Sequence, residues 1–169
     1  GRVEAFLAPV ATWLGHYHPV FIHLPIGGLS LVGLLEILAL RSRFRGAAQH
    51  RSLLLALTVV GTIPAIVCGW FLSQSAGYDA DLIRWHRWTG FGFLGASLAT
   101  AVLSLQRSQR SYQVSLWGTI LLLLVASHFG GSLTHGPDFL TLKLPARGEQ
   151  PATPPEAMVT DSPKLAHAN

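Results

Sequence analysis

The chain has 169 residues, of which 50% are hydrophobic and 12% are charged, whereas a soluble domain carries about 25% charged residues. This composition predicts a membrane protein. The net charge is +4, but the basic residues stand in short clusters between apolar runs, which argues against a nucleic-acid partner. The single cysteine, Cys68, excludes an internal disulfide and covalent attachment of c-type haem to this chain.

Three regions follow one another along the chain. Residues 1–15 contain Pro9 and are too short to span a bilayer, so they are predicted to lie at the membrane interface. Residues 16–141 are predicted to form an all-α, integral membrane four-helix bundle with up-down topology. Its apolar runs, each long enough for one span, cover about 18–40, 52–73, 86–105 and 113–130. Residues 142–169 hold five prolines and are predicted to be an extracytoplasmic tail that becomes ordered only against a partner.

Arginines in the connections predict the orientation of the chain. The first connection carries Arg41, Arg43, Arg45 and Arg51, the third carries Arg107 and Arg110, and the second carries Arg84 and Arg87. Positive charge is enriched in cytoplasmic connections. Both termini and the second connection are therefore predicted to lie outside the cytoplasm, with the spans in a bacterial inner membrane and in contact with its lipid.

Histidines at the outer ends of the runs are the candidate ligands of a cofactor. His23 and His86 lie at similar depths on helices predicted to be diagonal, and a glycine follows each of them four residues later, at Gly27 and Gly90. Residues four apart share a helix face, so each imidazole has an open position one turn deeper. A b-type haem (heme b) takes imidazole as an iron ligand and needs room for its flat macrocycle. The spacing favours His23 and His86 as the two iron ligands.

Other polar residues at the same end are predicted to support this site. His128, near the end of the fourth run, is expected to form a hydrogen bond close to a haem propionate, or else to ligate a further haem together with His18 or His135. Arg84 and Arg87 flank His86 in the sequence. Their guanidinium groups can pair with the propionates.

Two other interpretations of the histidines remain open. The imidazoles can be purely structural, bonded to backbone carbonyls, helix ends or lipid headgroups. Alternatively, zinc or copper can take three or four nitrogens from the set His18, His23, His86 and His128. Against a shared metal, His18 and His23 are separated by five positions across Pro19, and a regular helix turns such residues about 140° away from each other.

Four motifs give the chain a resemblance to a known family. They are His18-Pro-Val-Phe-Ile-His23-Leu-Pro-Ile-Gly27, Gly69-Trp70 with Ser75-Ala-Gly-Tyr-Asp79, Trp85-His-Arg-Trp-Thr-Gly90, and His128-Phe-Gly-Gly-Ser-Leu-Thr-His135-Gly-Pro-Asp-Phe-Leu140. Over residues 16–141 the chain resembles an uncharacterised bacterial family of four-span membrane proteins, which often precede or are joined to c-type cytochrome domains. The resemblance implies an electron-transfer setting. Because this chain has no CxxCH motif, the c-type partner so implied is a separate polypeptide.

Two functions from different classes fit these observations. The first is a b-type cytochrome subunit that relays electrons between the quinone pool and an extracytoplasmic c-type cytochrome or oxidoreductase. The second is a redox-silent membrane anchor for such a partner. The chain itself is expected to be a non-catalytic subunit, since it has no nucleophile motif, phosphate loop or carboxylate pair within a span.

Overall fold

A computed structural model gives the fold of residues 2–41, 43, 46, 49–74 and 77–140. The predicted tail, residues 142–169, lies outside the described residues. Every regular element within them is helical, which confirms the all-α prediction. The helices are α1 (Arg2–Gly15), α2 (His18–Phe21), α3 (His23–Ala39), α4 (Arg51–Leu72), α5 (Ala80–Ser104) and α6 (Gln109–His135).

In the described part of the chain, three helical segments are long and apolar enough to cross a membrane. They are Pro9–Ala39, Arg51–Leu72 and Gln109–His135. The remaining predicted span, the third along the chain at 86–105, corresponds to α5, which begins at Ala80 and not at 86. Its first two turns therefore carry Asp81, Arg84 and Arg87, and this charge lowers the hydropathy of the helix. The structure thus supports three of the four predicted spans by length and composition.

Local signals in the sequence explain where several helices begin and end. Asp79 precedes α5, and its Oδ1 accepts hydrogen bonds from the backbone N–H groups of Asp81 and Leu82 at 3.0 and 2.8 Å, which is the usual bonding of an N-cap. Helix α6 ends at His135, and Gly136 follows it with a φ of 89°, a backbone conformation that favours glycine. Pro25 lies in the first turn of α3, where its missing N–H leaves no helical bond unmade.

Every other helix packs against α4 or α6, and α3 and α5 pack against both. Helix α5 packs on α6 and α4, α3 packs on α4 and α6, and both α1 and α2 pack on α4. The buried apolar core consists of Leu29, Val32, Leu55, Phe93, Tyr112 and Leu116. The interfacial placement of residues 1–15 stays a prediction, and the structure shows α1 in contact with α4.

Helices α3 and α5 bury equivalent positions. Helix α3 buries Pro25, Leu29, Val32 and Glu36, and also Gly33. Helix α5 buries Phe93, Ser97, Thr100 and Ser104. Each of the four in α5 follows its counterpart in α3 by 68 positions. The two helices therefore turn the same face to the core.

Helices α4 and α6 also share three equivalent buried positions. Leu55, Thr58 and Ala65 are buried in α4, and Leu116, Thr119 and Ala126 are buried in α6, each 61 positions later. The halves also make matching contacts with each other. Glu36 Oε2 accepts a hydrogen bond from Gln113 Nε2 at 2.7 Å, and the equivalent pair, Ser104 and Ser52, joins its hydroxyls at 3.0 Å.

The contact of α3 with α6 matches the contact of α5 with α4. Exchanging the hairpin α3–α4 with the hairpin α5–α6 therefore turns each of these contacts into the other. A two-fold relation between the halves has this property, because it exchanges each residue with its counterpart. In membrane proteins such parallel repeats are related by an axis along the membrane normal. The bundle is therefore a repeat of one helical hairpin.

The repeat predicts matched effects of core truncation. Leu55 and Leu116 are both fully buried and occupy equivalent positions, so Leu55→Ala and Leu116→Ala should each lower the free energy of unfolding by roughly 2 kcal/mol or more. Thermal unfolding in detergent measures this loss. Leu57→Ala and Leu121→Ala are the controls, because these side chains are 57% and 63% exposed. Equal effects of the buried and exposed substitutions would contradict the assigned core.

Candidate functional site

Two of the predicted site histidines, His18 and His86, contact each other. The centroids of their rings are 6.2 Å apart and the ring planes make an angle of 81°. His18 begins α2, His86 lies in the second turn of α5, and both rings are partly buried. The two residues are separated by 68 positions, the same interval as the buried residues of α3 and α5. They are therefore counterparts in the repeat.

Each of these imidazoles is held by a backbone carbonyl of the neighbouring helix. His18 Nδ1 lies 2.8 Å from the oxygen of Ala65 in α4, and His86 Nδ1 lies 3.1 Å from the oxygen of Ala126 in α6. A carbonyl oxygen only accepts, so each Nδ1 carries a hydrogen and Nε2 of the neutral ring keeps its lone pair. Among the described residues neither Nε2 has a hydrogen-bond partner. Metal-binding histidines are commonly oriented by this bond.

A glycine one turn further along provides the space for each ring. A Cβ atom at Gly69 would lie 2.8 Å from His18 Cε1, and one at Gly130 would lie 3.0 Å from His86 Cε1. Each glycine follows by four residues the alanine that accepts the hydrogen bond, so acceptor and space lie on one helix face. Sequence reasoning missed these four residues. The signal was the Ala-x-x-x-Gly spacing, which occurs at Ala65–Gly69 and again at Ala126–Gly130.

The structure places His23 apart from the histidine pair. Its ring is exposed, and its Nδ1 lies 2.6 Å from the carbonyl oxygen of Pro19 one turn earlier. Helix α2 ends at Phe21 and α3 begins at His23, whereas the sequence argument treated this run as one regular helix. His86 meets His18, so the pairing of His23 with His86 stays a prediction without a contact behind it.

His128 and His135 belong to a separate aromatic cluster at the end of α6. The ring centroid of Phe139 is 6.0 Å from that of His128 and 5.9 Å from that of His135. Both imidazoles are exposed. The Phe139 ring also fills the space beside Gly131. A hydrogen bond from His128 to a cofactor, and a ligand role for His135, stay predictions.

No side chain packs against Gly27 or Gly90, and their place beside a cofactor stays a prediction. A Cβ atom built at either residue meets nothing within 4 Å. Gly90 lies one turn deeper than His86 on α5. Gly27 is exposed and Gly90 is half-buried, so only the position at Gly90 is partly enclosed.

The two predicted arginines have different surroundings. Arg84 makes an exposed ion pair with Asp81 at 3.0 Å, which is worth little in water. Arg87 lies across the end of α4: its Nη2 donates to the hydroxyl of Ser73, and its guanidinium carbon is 4.8 Å from the centroid of the Trp70 ring. The Nε atom of Arg87 is buried and has no partner in the described part of the chain. Arg87 thus retains a donor for an anionic group.

The alternative of a zinc or copper centre finds no ligand set in the described residues. Within them, no three His, Cys, Asp or Glu side chains converge on one point. Comparisons with protein families, with curated proteins and with solved structures found no match for the chain. The functional argument therefore depends on the histidine pair and its surroundings.

The glycine contacts predict which small substitutions disturb the site. Gly69→Ala and Gly130→Ala should displace an imidazole and lower the free energy of unfolding by about 1–3 kcal/mol. Gly27→Ala and Gly90→Ala should leave it unchanged or raise it, because alanine is the better helix former and meets open space. Thermal unfolding in detergent measures both effects, and ¹⁵N spectra of the labelled histidines report the displaced rings. Equal behaviour of the two pairs would contradict the described packing.

Proposed function

We propose that the protein is a membrane b-type cytochrome subunit in which His18 and His86 hold one haem iron between the two hairpins. The observation that carries this proposal is the pair of rings with centroids 6.2 Å apart, each with Nδ1 bonded to a backbone carbonyl. Two imidazoles that ligate one metal ion have ring centroids about 6 Å apart, since each metal–nitrogen bond is about 2.0–2.1 Å long. His18 and His86 would therefore hold an iron through their Nε2 atoms, since the spacing of the rings and the hydrogen on each Nδ1 suit two imidazole ligands of one metal ion.

Three further features fit a haem. The half-buried position at Gly90 has no neighbouring atom within 4 Å of a Cβ and would leave room for the edge of a flat ring. The unpartnered Nε of Arg87 suits a propionate, because a charge-assisted hydrogen bond would satisfy a buried donor. The ligands come one from each hairpin, as in helix bundles that hold a cofactor in the core. This assignment replaces His23 by His18 and retains His86.

A bound haem supplies one-electron transfer, and the protein supplies the environment that tunes it. The carbonyls of Ala65 and Ala126 fix the imidazole orientation and raise the basicity of each Nε2 through the Nδ1–H bond. The imidazoles pack against Gly69 and Gly130, which excludes water from that side of each ring. Such ligand basicity and burial are the levers by which a protein sets a haem potential.

The proposed partners are the quinone pool and an extracytoplasmic c-type cytochrome or oxidoreductase. Quinone access is supported by an open apolar groove on α4 and α5, lined by Ile66, Val67, Trp70, Phe71 and Phe91. The aromatic cluster of His128, His135 and Phe139 lies at the C-terminal end of α6, and both of its imidazoles are exposed. A water-soluble partner would meet this end of the bundle.

The second candidate function is a redox-silent membrane anchor. It is favoured by the same hydrogen bonds, because an imidazole bonded to a carbonyl of the next helix also joins the two helices without any cofactor. The two candidates differ in what becomes of Nε2. In the anchor both lone pairs stay free, whereas in the cytochrome both are bound to iron.

Substitution of single histidines tests the ligand assignment. His18→Ala and His86→Ala should each abolish low-spin haem, because each removes an axial ligand. His23→Ala and His128→Ala are the matched controls and should retain the low-spin spectrum. Soret and α bands of the purified protein, isolated with its partners, provide the measurement. Wild-type protein without haem would favour the anchor, and low-spin haem in His18→Ala with loss in His23→Ala would restore the pairing of His23 with His86.

We further propose that α5 also spans the membrane, which makes four spans in all. The bundle then crosses the bacterial inner membrane up-down, with both termini outside the cytoplasm. Residues 88–105 contain no Asp, Glu, Lys or Arg, and α5 packs between α4 and α6. A helix lying between two spanning helices lies within the bilayer with them. The arginine distribution supports the orientation.

Cysteine labelling tests this topology in a Cys68→Ala background. If α5 spans, Tyr78 and Gln106 lie on opposite sides of the membrane. An impermeant thiol reagent added to intact cells should therefore label Tyr78→Cys and spare Gln106→Cys and Ser42→Cys. Labelling of both Tyr78→Cys and Gln106→Cys would mean that α5 does not cross. Labelling of Ser42→Cys and Gln106→Cys, with Tyr78→Cys spared, would mean that the orientation is reversed.

A further inference from the structure

The seam between α4 and α5, at the end of the bundle that holds the histidine pair, contains an arginine whose charge is not compensated. Arg87 is half-buried, and its Nη2 donates to the hydroxyl of Ser73. Its Nε is buried without a hydrogen-bond partner among the described residues. In the same part of the chain no carboxylate pairs with Arg87, and the acidic side chain of α5, Asp81, pairs with Arg84. A cation with an unmade hydrogen bond favours an anionic ligand.

An indole holds the guanidinium group of Arg87 in place. The central carbon of this group lies 4.8 Å from the centroid of the Trp70 ring, within the range of a cation–π contact. Trp70 is also one wall of the apolar groove on α4 and α5. The cation and the groove therefore share a side chain and form one continuous surface.

The groove extends from Arg87 toward the middle of the bundle. Phe91, its wall on α5, lies four residues after Arg87, hence on the same helix face and about 6 Å further along the helix. Ile66, on the α4 side, precedes Trp70 by the same interval. The side chains of Val67, Trp70 and Phe91 are 47%, 48% and 43% exposed, so the groove is open on the outside of the bundle. The surface thus has a cationic end and an apolar path that leads away from it.

The repeat of the two hairpins does not require this arrangement. By the intervals of 68 and 61 positions, Arg87 corresponds to Pro19 and Trp70 corresponds to Gly131. The other half packs its helices without an arginine or an indole at these positions. The contact of Arg87 with Trp70 is therefore not part of the packing that the hairpins share, which favours a ligand as its purpose.

The charge and the groove together select the class of ligand. A quinone can use the apolar walls, but its head is neutral and leaves the charge of Arg87 uncompensated. A haem propionate has the charge but no chain that would lie in the groove. An anionic phospholipid has both parts, since its phosphate suits a guanidinium and its acyl chain suits an apolar groove on a membrane helix.

We propose that Arg87 and the groove bind an anionic phospholipid of the leaflet around the histidine end. The phosphate accepts hydrogen bonds from the guanidinium, and one acyl chain lies along Trp70, Phe91 and Ile66. Basic residues between membrane helices recognise anionic headgroups in this way. This inference rests on the proposed membrane placement of α5 and needs no haem. A propionate at the histidine pair would then use another of the five N–H groups of Arg87.

Quenching of Trp70 fluorescence by brominated lipids tests this proposal on the full chain in liposomes. The reference protein keeps Trp70 as its single indole. Its other tryptophans are replaced in Trp13→Phe, Trp85→Phe, Trp88→Phe and Trp117→Phe. Phosphatidylglycerol and phosphatidylcholine, each with bromine on its acyl chains, are compared in turn. Near Trp70 the anionic lipid should bind about fivefold more tightly than the zwitterionic lipid.

Two substitutions of α5 in this protein separate the site from general surface charge. Arg87→Gln should lower the preference for phosphatidylglycerol to about one, because it removes the cation from the groove. Arg84→Gln is the matched control: it removes the same charge from an exposed ion pair and should keep the preference. Arg87→Lys keeps the charge but lacks Nε and the planar fork, so it should lose most of the preference. If Arg87→Gln does not fold, Arg87→Lys alone decides.

Equal quenching by the two lipids in the reference protein would overturn the lipid site. A preference that survives Arg87→Gln, or that survives in full in Arg87→Lys, would overturn it as well. Absence of quenching by either lipid would mean that Trp70 lies outside the bilayer, and the proposed span would then fail together with the lipid site. Each comparison is made against the unbrominated lipid on the same protein, so none of these results depends on whether the chain binds haem.

Discussion

The hydrogen bond from an imidazole Nδ1 to a backbone carbonyl of the next helix is the interaction on which the site depends. An unpaired N–H in apolar surroundings costs about 1–3 kcal/mol, so His18 and His86 are stable inside the bundle only with the carbonyls of Ala65 and Ala126. The helices must approach closely for these bonds to form, and the glycine one turn later allows it. The same bond fixes the tautomer and leaves Nε2 as the reactive atom.

The repeat explains why two such bonds occur and why they meet. A hairpin that holds one imidazole at its open end presents one Nε2, and a two-fold relation brings the second to the same level. The halves differ in their cores: Leu29 and Val32 in α3 correspond to Ser97 and Thr100 in α5. This difference makes one side of the interior apolar and the other polar. The histidines are retained in both halves, while His23 corresponds to the apolar Phe91.

The sequence predicted the helical class, and the structure supports three of the four predicted spans, because an apolar run of sufficient length has few other structures available. It misplaced the start of α5, since the N-cap at Asp79 extends that helix through two charged turns. The contact of His18 with His86 was less predictable. Periodicity compares residues on one helix, whereas the contact of His18 with His86 depends on how helices pack. His23 was chosen because Gly27 follows it by one turn, and both residues lie within α3, so its pairing with His86 stays a prediction. The interval of 68 between His18 and His86 was present in the sequence.

The charged side chains at the two ends of the bundle, Glu36 and Arg87, differ in how well their hydrogen-bonding groups are satisfied. Glu36 is a buried carboxylate with a tyrosine, an amide and an arginine around it, so its charge is compensated by the chain itself. Arg87 has a hydroxyl and an indole as partners but a buried Nε without one. An uncompensated buried donor destabilises the fold until an anion binds it. Any group that brings a carboxylate to Arg87 therefore stabilises the native state by mass action, which links the occupancy of the histidine end to the stability of the whole bundle.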